Sequence, residues 1–193
     1  MVRVALAVWL LSSIATIAAA DPIEWTTASG GNGHFYDRVV GSSNWGQAKS
    51  AAESLSHLGI PGHLTTVGSQ AELDFIQANL VHGSHWIGGF QVTTAPDYVE
   101  PAGGWRWVTG EPWAFTNWHA GEPTNENGNE NFLEVHSAGV GTWNDLDSGD
   151  IRPAFYVEFG VDQIVPEPSG ILLGASSFFA FSAFVWRRRR RAS

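Results

Sequence analysis

GEPTNENGNENFLEV, residues 121–135, carries Glu122, Glu126 and Glu130 among Asn125, Asn127, Asn129 and Asn131, with no basic side chain to neutralise them. Two readings are open. Asn and Gly favour turns, so the stretch can be a solvated surface loop. It can equally form one side of a cation cage, because a hard cation such as calcium takes about six to eight oxygens from carboxylates, amides and backbone carbonyls. Pro123 bears on the second reading, since an X-Pro bond can be held cis where a tight turn must aim its neighbours. Further oxygens follow at Trp143-Asn144-Asp145, with Asp147 and Asp150 close behind. Asn125, Asn127 and Asn129 have the odd spacing of a helix-loop-helix calcium site, but the sixth position is Glu130 rather than glycine, which excludes that motif.

Working outward, residues 108–131 form a long Gly-, Pro-, Asn- and Glu-rich segment with little periodicity. Loops of this length inside compact domains are usually functional or disordered. Upstream, Ser43-Asn44 can cap a helix from Trp45 to about His57, with Trp45, Ala48, Ala52 and Leu55 at helical spacing and Gly59 as the stop. Ser69 to Glu72 reads as a capping box. It precedes a stripe of Leu73, Ile76 and Leu80, with Phe75 to one side. Strands are predicted at 63–67, 85–90, GWRWV, NFLEVH, GTWNDL and AFYVEF. Helices early and strands late predict an α+β domain with an antiparallel sheet.

The ends stand apart from this domain. Residues 1–20 have the basic start, apolar run and small-residue end of a cleaved secretory signal. Residues 170–186 are uncharged and, as a helix, would span roughly 25 Å, near the lower limit for a bilayer. Arg187 to Arg191 follow, a cluster that stays cytoplasmic and leaves the preceding chain outside. The organisation expected is therefore a signal at 1–20, a domain at 21–164 and a sorting tail at 165–193.

Of the ten basic residues only Arg38, Lys49, Arg106 and Arg152 fall in the domain, against eighteen of nineteen acids. Such a surface repels phosphate backbones, which argues against nucleic acid and favours metal ions or neutral ligands. The chain has no cysteine, so an exported domain must do without bridges each worth roughly 2 to 4 kcal/mol. Eight of the ten tryptophans lie in the domain and are expected to supply packing instead.

Taken as one string, NWGQAKSAAESLSHLGIPGHLTTVGSQAELDFI, HWIGG, WRWVTGEPWAFTNWHAGEPTN, NENFLEV and WNDL resembles a C-type lectin-like domain, over nearly all of residues 34–160. The resemblance implies two helices, antiparallel sheet and a long excursion holding a calcium site that binds sugar directly. It places calcium ligands at Glu122, Glu130, Asn144 and Asp145, with Glu122, Glu130 and Asn144 also bonding the sugar hydroxyls; beside them either Thr124 contributes weakly, or Asn125 or a water fills the gap. The chain departs from the family at Thr124, where mannose-type members have Asn in Glu-Pro-Asn; a hydroxyl reaches less far than an amide. Glu122 in place of Gln implies mannose, glucose or fucose type sugars over galactose. The family's cysteine positions fall on Ala52, Phe132, Ser148 and Val157. Trp113 and Trp118 flank the loop and are candidates for stacking on a pyranose, Trp113 the stronger; the alternative, and the favoured reading, is that both pack in the core. The tail, with Pro166-Glu167-Pro168, an apolar span and terminal arginines, resembles a PEP-CTERM sorting signal. That implies an exosortase-type processing enzyme, an inner-membrane intermediate and delivery to the cell surface or an exopolysaccharide matrix.

An enzyme is the main rival class. The seven histidines include no HExxH pair, and GxSxG, cysteine nucleophile and P-loop are all missing from the sequence. His119 near Glu122 and His136 near Glu134 are the pairs from which acid-base or zinc chemistry could be built. The other rival is a lectin-like module that binds protein without sugar or calcium.

Overall fold

A computed structural model describes residues 21–136 and 141–160. The signal at 1–20 and the tail from 165 onward lie outside the described residues, so neither segment's structure enters below. Among the described residues no helix is long and apolar enough to cross a membrane.

The elements run β1 (Ile23–Glu24), β2 (Phe35–Ser43), α1 (Trp45–Glu53), β3 (Ser56–His57), β4 (Ile60–Leu64), α2 (Gln70–Asn79), β5 (His85–Gln91), β6 (Trp105–Trp107), β7 (Glu130–Val135), β8 (Trp143–Asp147) and β9 (Arg152–Phe159). The α+β class expected from the sequence holds. The main sheet path is β1-β2-β9-β5-β7-β8, with β4 on β9 and β6 on β5. It is not wholly antiparallel: β5 meets β9 in parallel at Trp86 and Phe155. That pairing joins the terminal β1-β2-β9 half to the β5-β7-β8 half that carries the candidate ligands.

Both predicted helices form, with different ends. Helix α1 stops at Glu53, short of His57. Ser54 turns its N–H back onto Ser50 and Ala51, and Ser56–His57 instead pairs with Ile60 and Pro61. The left-handed conformations of Leu58 and Gly59 allow that reversal, so strand pairing replaces the last helical turn and leaves Leu55 exposed. The full capping box is at α1, where Asn44 accepts from Gln47 N and Gln47 Oε1 accepts from Asn44 N. Asn44→Ala should cost about 1 kcal/mol, read by denaturant unfolding. At α2 the predicted box is half made. Ser69 accepts from Glu72 N, but the Glu72 carboxylate turns to Gly68 N and the Tyr36 hydroxyl.

Strand β2 had no counterpart in the sequence reading. Its alternation is broken because Tyr36 and Asp37 are both buried, in a strand paired on both sides by β1 and β9. Strand β4 begins and ends earlier than the predicted 63–67. Thr65 and Thr66 leave the strand but stay buried, their N–H groups donating to Tyr156 O and Glu158 Oε2.

Two apolar clusters fill the interior. One joins Leu73, Ile76 and Leu80 of the α2 stripe to Ile87, Leu133 and the Trp105–Trp107–Trp143 group. The other gathers Trp45, Ala52, Trp86 and Val157, with Phe132 packed against it. Three of the four positions where the family resemblance puts cysteine therefore lie at one core. Trp45 lies over Phe132 with ring centroids 4.8 Å apart, and only Ser148 faces solvent. Aromatic packing supplies cross-links that the missing bridges would otherwise give.

Between α2 and β9 sits a buried acidic network. The Tyr36 hydroxyl lies 2.6 Å from Glu72 Oε1 and 3.1 Å from Glu158 Oε1, and Glu158 also contacts His34 Nδ1 at 2.7 Å. Burial, then the neighbouring Glu158 charge, pushes the Glu72 carboxyl up to about 7.

Candidate functional site

The long aperiodic segment expected at 108–131 is present: between β6 and β7 there is only an isolated bridge at Trp118 and a single 3-10 turn, Glu126–Gly128. It is anchored at its base by aromatics. Trp118 bridges to Trp143, His119 N donates to Trp143 O, and Trp143 N donates to Asn117 O. Trp143 is fully buried and meets Trp107, Trp113, Phe115 and Trp118. The same tryptophan begins β8 and so sets the positions of Asn144 and Asp145.

Beyond this base the loop turns over β8. The Glu122-Pro123 bond is cis, and Asn125 and Asn127 adopt left-handed backbone. Asp145, wholly buried, accepts from Thr124 N at 3.0 Å and Asn125 N at 2.8 Å, one on each oxygen. Asn125 Oδ1 accepts from Glu130 N at 3.0 Å. Glu130 Oε2 accepts from Glu126 N and, at 3.4 Å, from the Thr124 hydroxyl. Thr124 thus reaches Glu130 despite its short side chain.

Charge links three carboxylates pairwise, Glu122 to Asp145 and Asp145 to Glu130. Burial pushes the Asp145 carboxyl up; the Asn125 and Thr124 amides pull it back, and the Glu122 charge adds to the upward push. Burial likewise raises Glu130, with the Asp145 charge contributing in the same direction. Glu122 Oε2 is buried without a hydrogen-bond partner. A buried carboxylate oxygen without a donor is costly, and a cation is the chemistry that would relieve it. All the donors here are hard oxygens, as calcium requires. As placed, however, no three Asp, Glu or His side chains among the described residues converge closely enough to hold a metal ion. Glu130 and Asp145 spend oxygens on loop amides instead.

Asn144 stands apart from the three acids. Adjacent strand residues point to opposite faces, and the Asn144 amide Nδ2 lies 3.5 Å from Glu134 Oε1. Trp113 packs within the aromatic base, 4.5 Å from Trp107 and 5.8 Å from Trp105 between ring centroids, and lines a groove with Asp97, Arg106 and Glu111. Its ring is thus largely committed to packing. The His119 and His136 rings pack against each other, tilted, with centroids 5.2 Å apart, and His119 Nδ1 lies near the Thr142 hydroxyl. The residue that the sequence reading passed over is Arg152. It pairs with Glu134 from the start of β9, and no local motif signals it.

A model of the lectin C-type domain matches residues 41–154. The chain belongs to the C-type lectin domain family. It is 32% identical over 142 residues to Halomucin of Haloquadratum walsbyi, covering 67% of this chain and 1% of that protein. It is 31% identical over 116 residues to the low affinity immunoglobulin epsilon Fc receptor of Mus musculus, 58% of this chain and 31% of the receptor. Ladderlectin of Oncorhynchus mykiss is 30% identical over 112 residues, 55% of each chain. The chain therefore spans well under two-thirds of these relatives. Among solved structures, CEL-I from Cucumaria echinata superposes with TM-score 0.56 at 22% identity, covering 66% of this chain and 90% of that one. The cow CD23 carbohydrate-recognition domain, solved in the presence of a GlcNAc2Man3 oligosaccharide, gives 0.54 at 26% identity over 66% and 89%. This is a C-type lectin module, in a family of generally non-enzymatic carbohydrate-binding proteins.

Proposed function

We propose that this lectin module is exported and binds carbohydrate through a calcium ion held by Glu122, Glu130, Asn144 and Asp145. The observation that carries the reading is the group of Glu122, Glu130 and Asp145, in which the Glu122 charge acts on Asp145 and the Asp145 charge on Glu130, with a Glu122 oxygen buried without a partner among them. Calcium, when bound, supplies open coordination positions for two neighbouring sugar hydroxyls. The chain's own part is to hydrogen-bond the same hydroxyls: Glu122 and Glu130 accept, Asn144 accepts or donates, and the Thr124 hydroxyl and Asn125 amide stand beside them. Mannose, glucose or fucose type sugars are the proposed ligands. Export through the signal at 1–20, with exosortase-type processing of the tail at 165–193 and delivery to a cell surface or exopolysaccharide matrix, completes the proposal.

A glycan array run with calcium and with chelator tests it. Binding should need calcium, and Glu130→Gln should lower it by at least tenfold. Binding unchanged by chelator or by Glu130→Gln overturns the assignment. A second reading, a module that binds protein without metal, is favoured by the loop being closed already through Thr124 N and Asn125 N on Asp145. On that reading calcium leaves the melting temperature unchanged, whereas the proposed site raises it by mass action.

A further inference from the structure

The loop between β1 and β2, residues 25–34, folds over α2 and has no role in the reading above. It is tied to itself: Trp25 N donates to His34 O, Gly33 N to Trp25 O and Gly31 N to Thr26 O. Its hinge is slight, since β1 pairs only Ile23 with Tyr36 and Glu24 with Phe35. The Trp25 ring stacks on Phe75 with centroids 5.6 Å apart. Asn32 Nδ2 donates to the Tyr36 hydroxyl at 2.7 Å and to Glu72 Oε1 at 3.3 Å, and His34 Nδ1 lies 2.7 Å from Glu158 Oε1.

Beneath this loop Glu72 Oε1, the Tyr36 hydroxyl and Glu158 Oε1 form a buried row, spaced 2.6 and 3.1 Å. A phenol has one hydrogen to donate. Burial, then the Glu158 and Glu72 charges, push the Tyr36 phenol up, so it keeps that hydrogen. One hydrogen fills one gap. The second gap is filled only when a carboxyl in the row is protonated; otherwise two oxygen lone pairs face each other away from water. The carboxylates are also pinned, Glu72 Oε2 by Gly68 N at 2.7 Å and Glu158 Oε2 by Thr66 N at 2.9 Å. Glu111, on Thr66 Oγ1 at 2.7 Å, adds negative charge. The basic residues of the domain are engaged elsewhere: Arg38, Lys49, Arg106 and Arg152 bond His85, Glu53, Asp97 and Glu134.

We propose that residues 25–34 are a proton-operated flap, docked while the row Glu72–Tyr36–Glu158 holds a carboxyl proton and lifted when that proton is lost. Strands β2 and β9 are paired from Phe35 to Ser43, so the row gains water most cheaply by losing its cover. Glu72, pushed up by burial to about 7, sets the range: the flap is closed below it and opens above.

The test uses the full chain labelled with fluorotryptophan, in chelator, so that its outcome is independent of the calcium reading. The fluorine signal of Trp25, assigned by its loss in Trp25→Phe, should move from about pH 6 to 8 while that of Trp143 stays fixed, the open-to-closed ratio rising up to tenfold per pH unit. Glu72→Gln, which removes the charge, should hold the Trp25 signal at its low-pH position throughout. Asn32→Ala, which loosens the flap and leaves both carboxylates in place, should bring the transition to lower pH. A Trp25 signal that does not move in the wild type overturns the inference, as does one that moves together with Trp143 or titrates unchanged in either Glu72→Gln or Asn32→Ala.

Discussion

Trp143→Ala is expected to lower stability by about 3 to 5 kcal/mol, the range for removing a large buried aromatic. Trp143 is fully buried among four aromatic rings, so truncation leaves a cavity that Trp107, Trp113, Phe115 and Trp118 cannot all close. Its main-chain bonds to Asn117 and His119 also hold the loop base. Calcium affinity should therefore fall at temperatures where the variant is still folded, although no ligand has been changed. Denaturant unfolding and calcium calorimetry on the same variant check both halves. A Trp143→Ala protein that unfolds at wild-type denaturant concentration would remove the aromatic base from the account.

The second large effect concerns pH. In the folded state Glu72 titrates at about 7, against an ordinary value of 4.5, so between these pH values the folded chain binds more protons than the unfolded one. Stability from this group is fully present below about 4.5 and gone above about 7. The shift corresponds to about 3 kcal/mol, or on the order of 10 °C in melting temperature for a domain of this size. Glu130 and Asp145, also raised, act with the same sign. Metal-free protein should thus melt higher at pH 5 than at pH 7.5. Glu72→Gln keeps an acceptor for the Tyr36 hydroxyl without the charge, and should remove most of that slope while raising the melting point at neutral pH. The increment from calcium should run the other way, shrinking as acid protonates the site carboxylates. A flat metal-free profile in the wild type would refute the assignment of Glu72.

Much of this was legible from local pattern. The α2 stripe and the strands around Trp86, Leu133 and Val157 need only periodicity and turn chemistry, which act within a few residues, while the order of Trp-Ile-Gly-Gly, Glu-Pro and Trp-Asn-Asp segments carried the resemblance to the family. The end of α1 was not legible, because helix propensity at Leu55 competes with a hairpin that exists only once β4 is docked on β9. Strand β2 was missed for a related reason: flanked on both sides, it buries neighbouring residues and loses its alternation.

The sequence by itself determined the family, the acidic character and which oxygen-bearing side chains the loop and β8 offer, since these depend on residue type and order alone. Only the tertiary structure decided what the donors do. Asp145 closes the loop through two amides, Glu122 keeps an unpartnered oxygen, Trp113 packs into the aromatic base, and Asn144 turns toward Glu134. Each outcome depends on strands distant in the chain, β7 against β8 and β9 against β5, meeting in one register. Burial and charge at such junctions are properties of the assembled sheet, which no window of sequence contains.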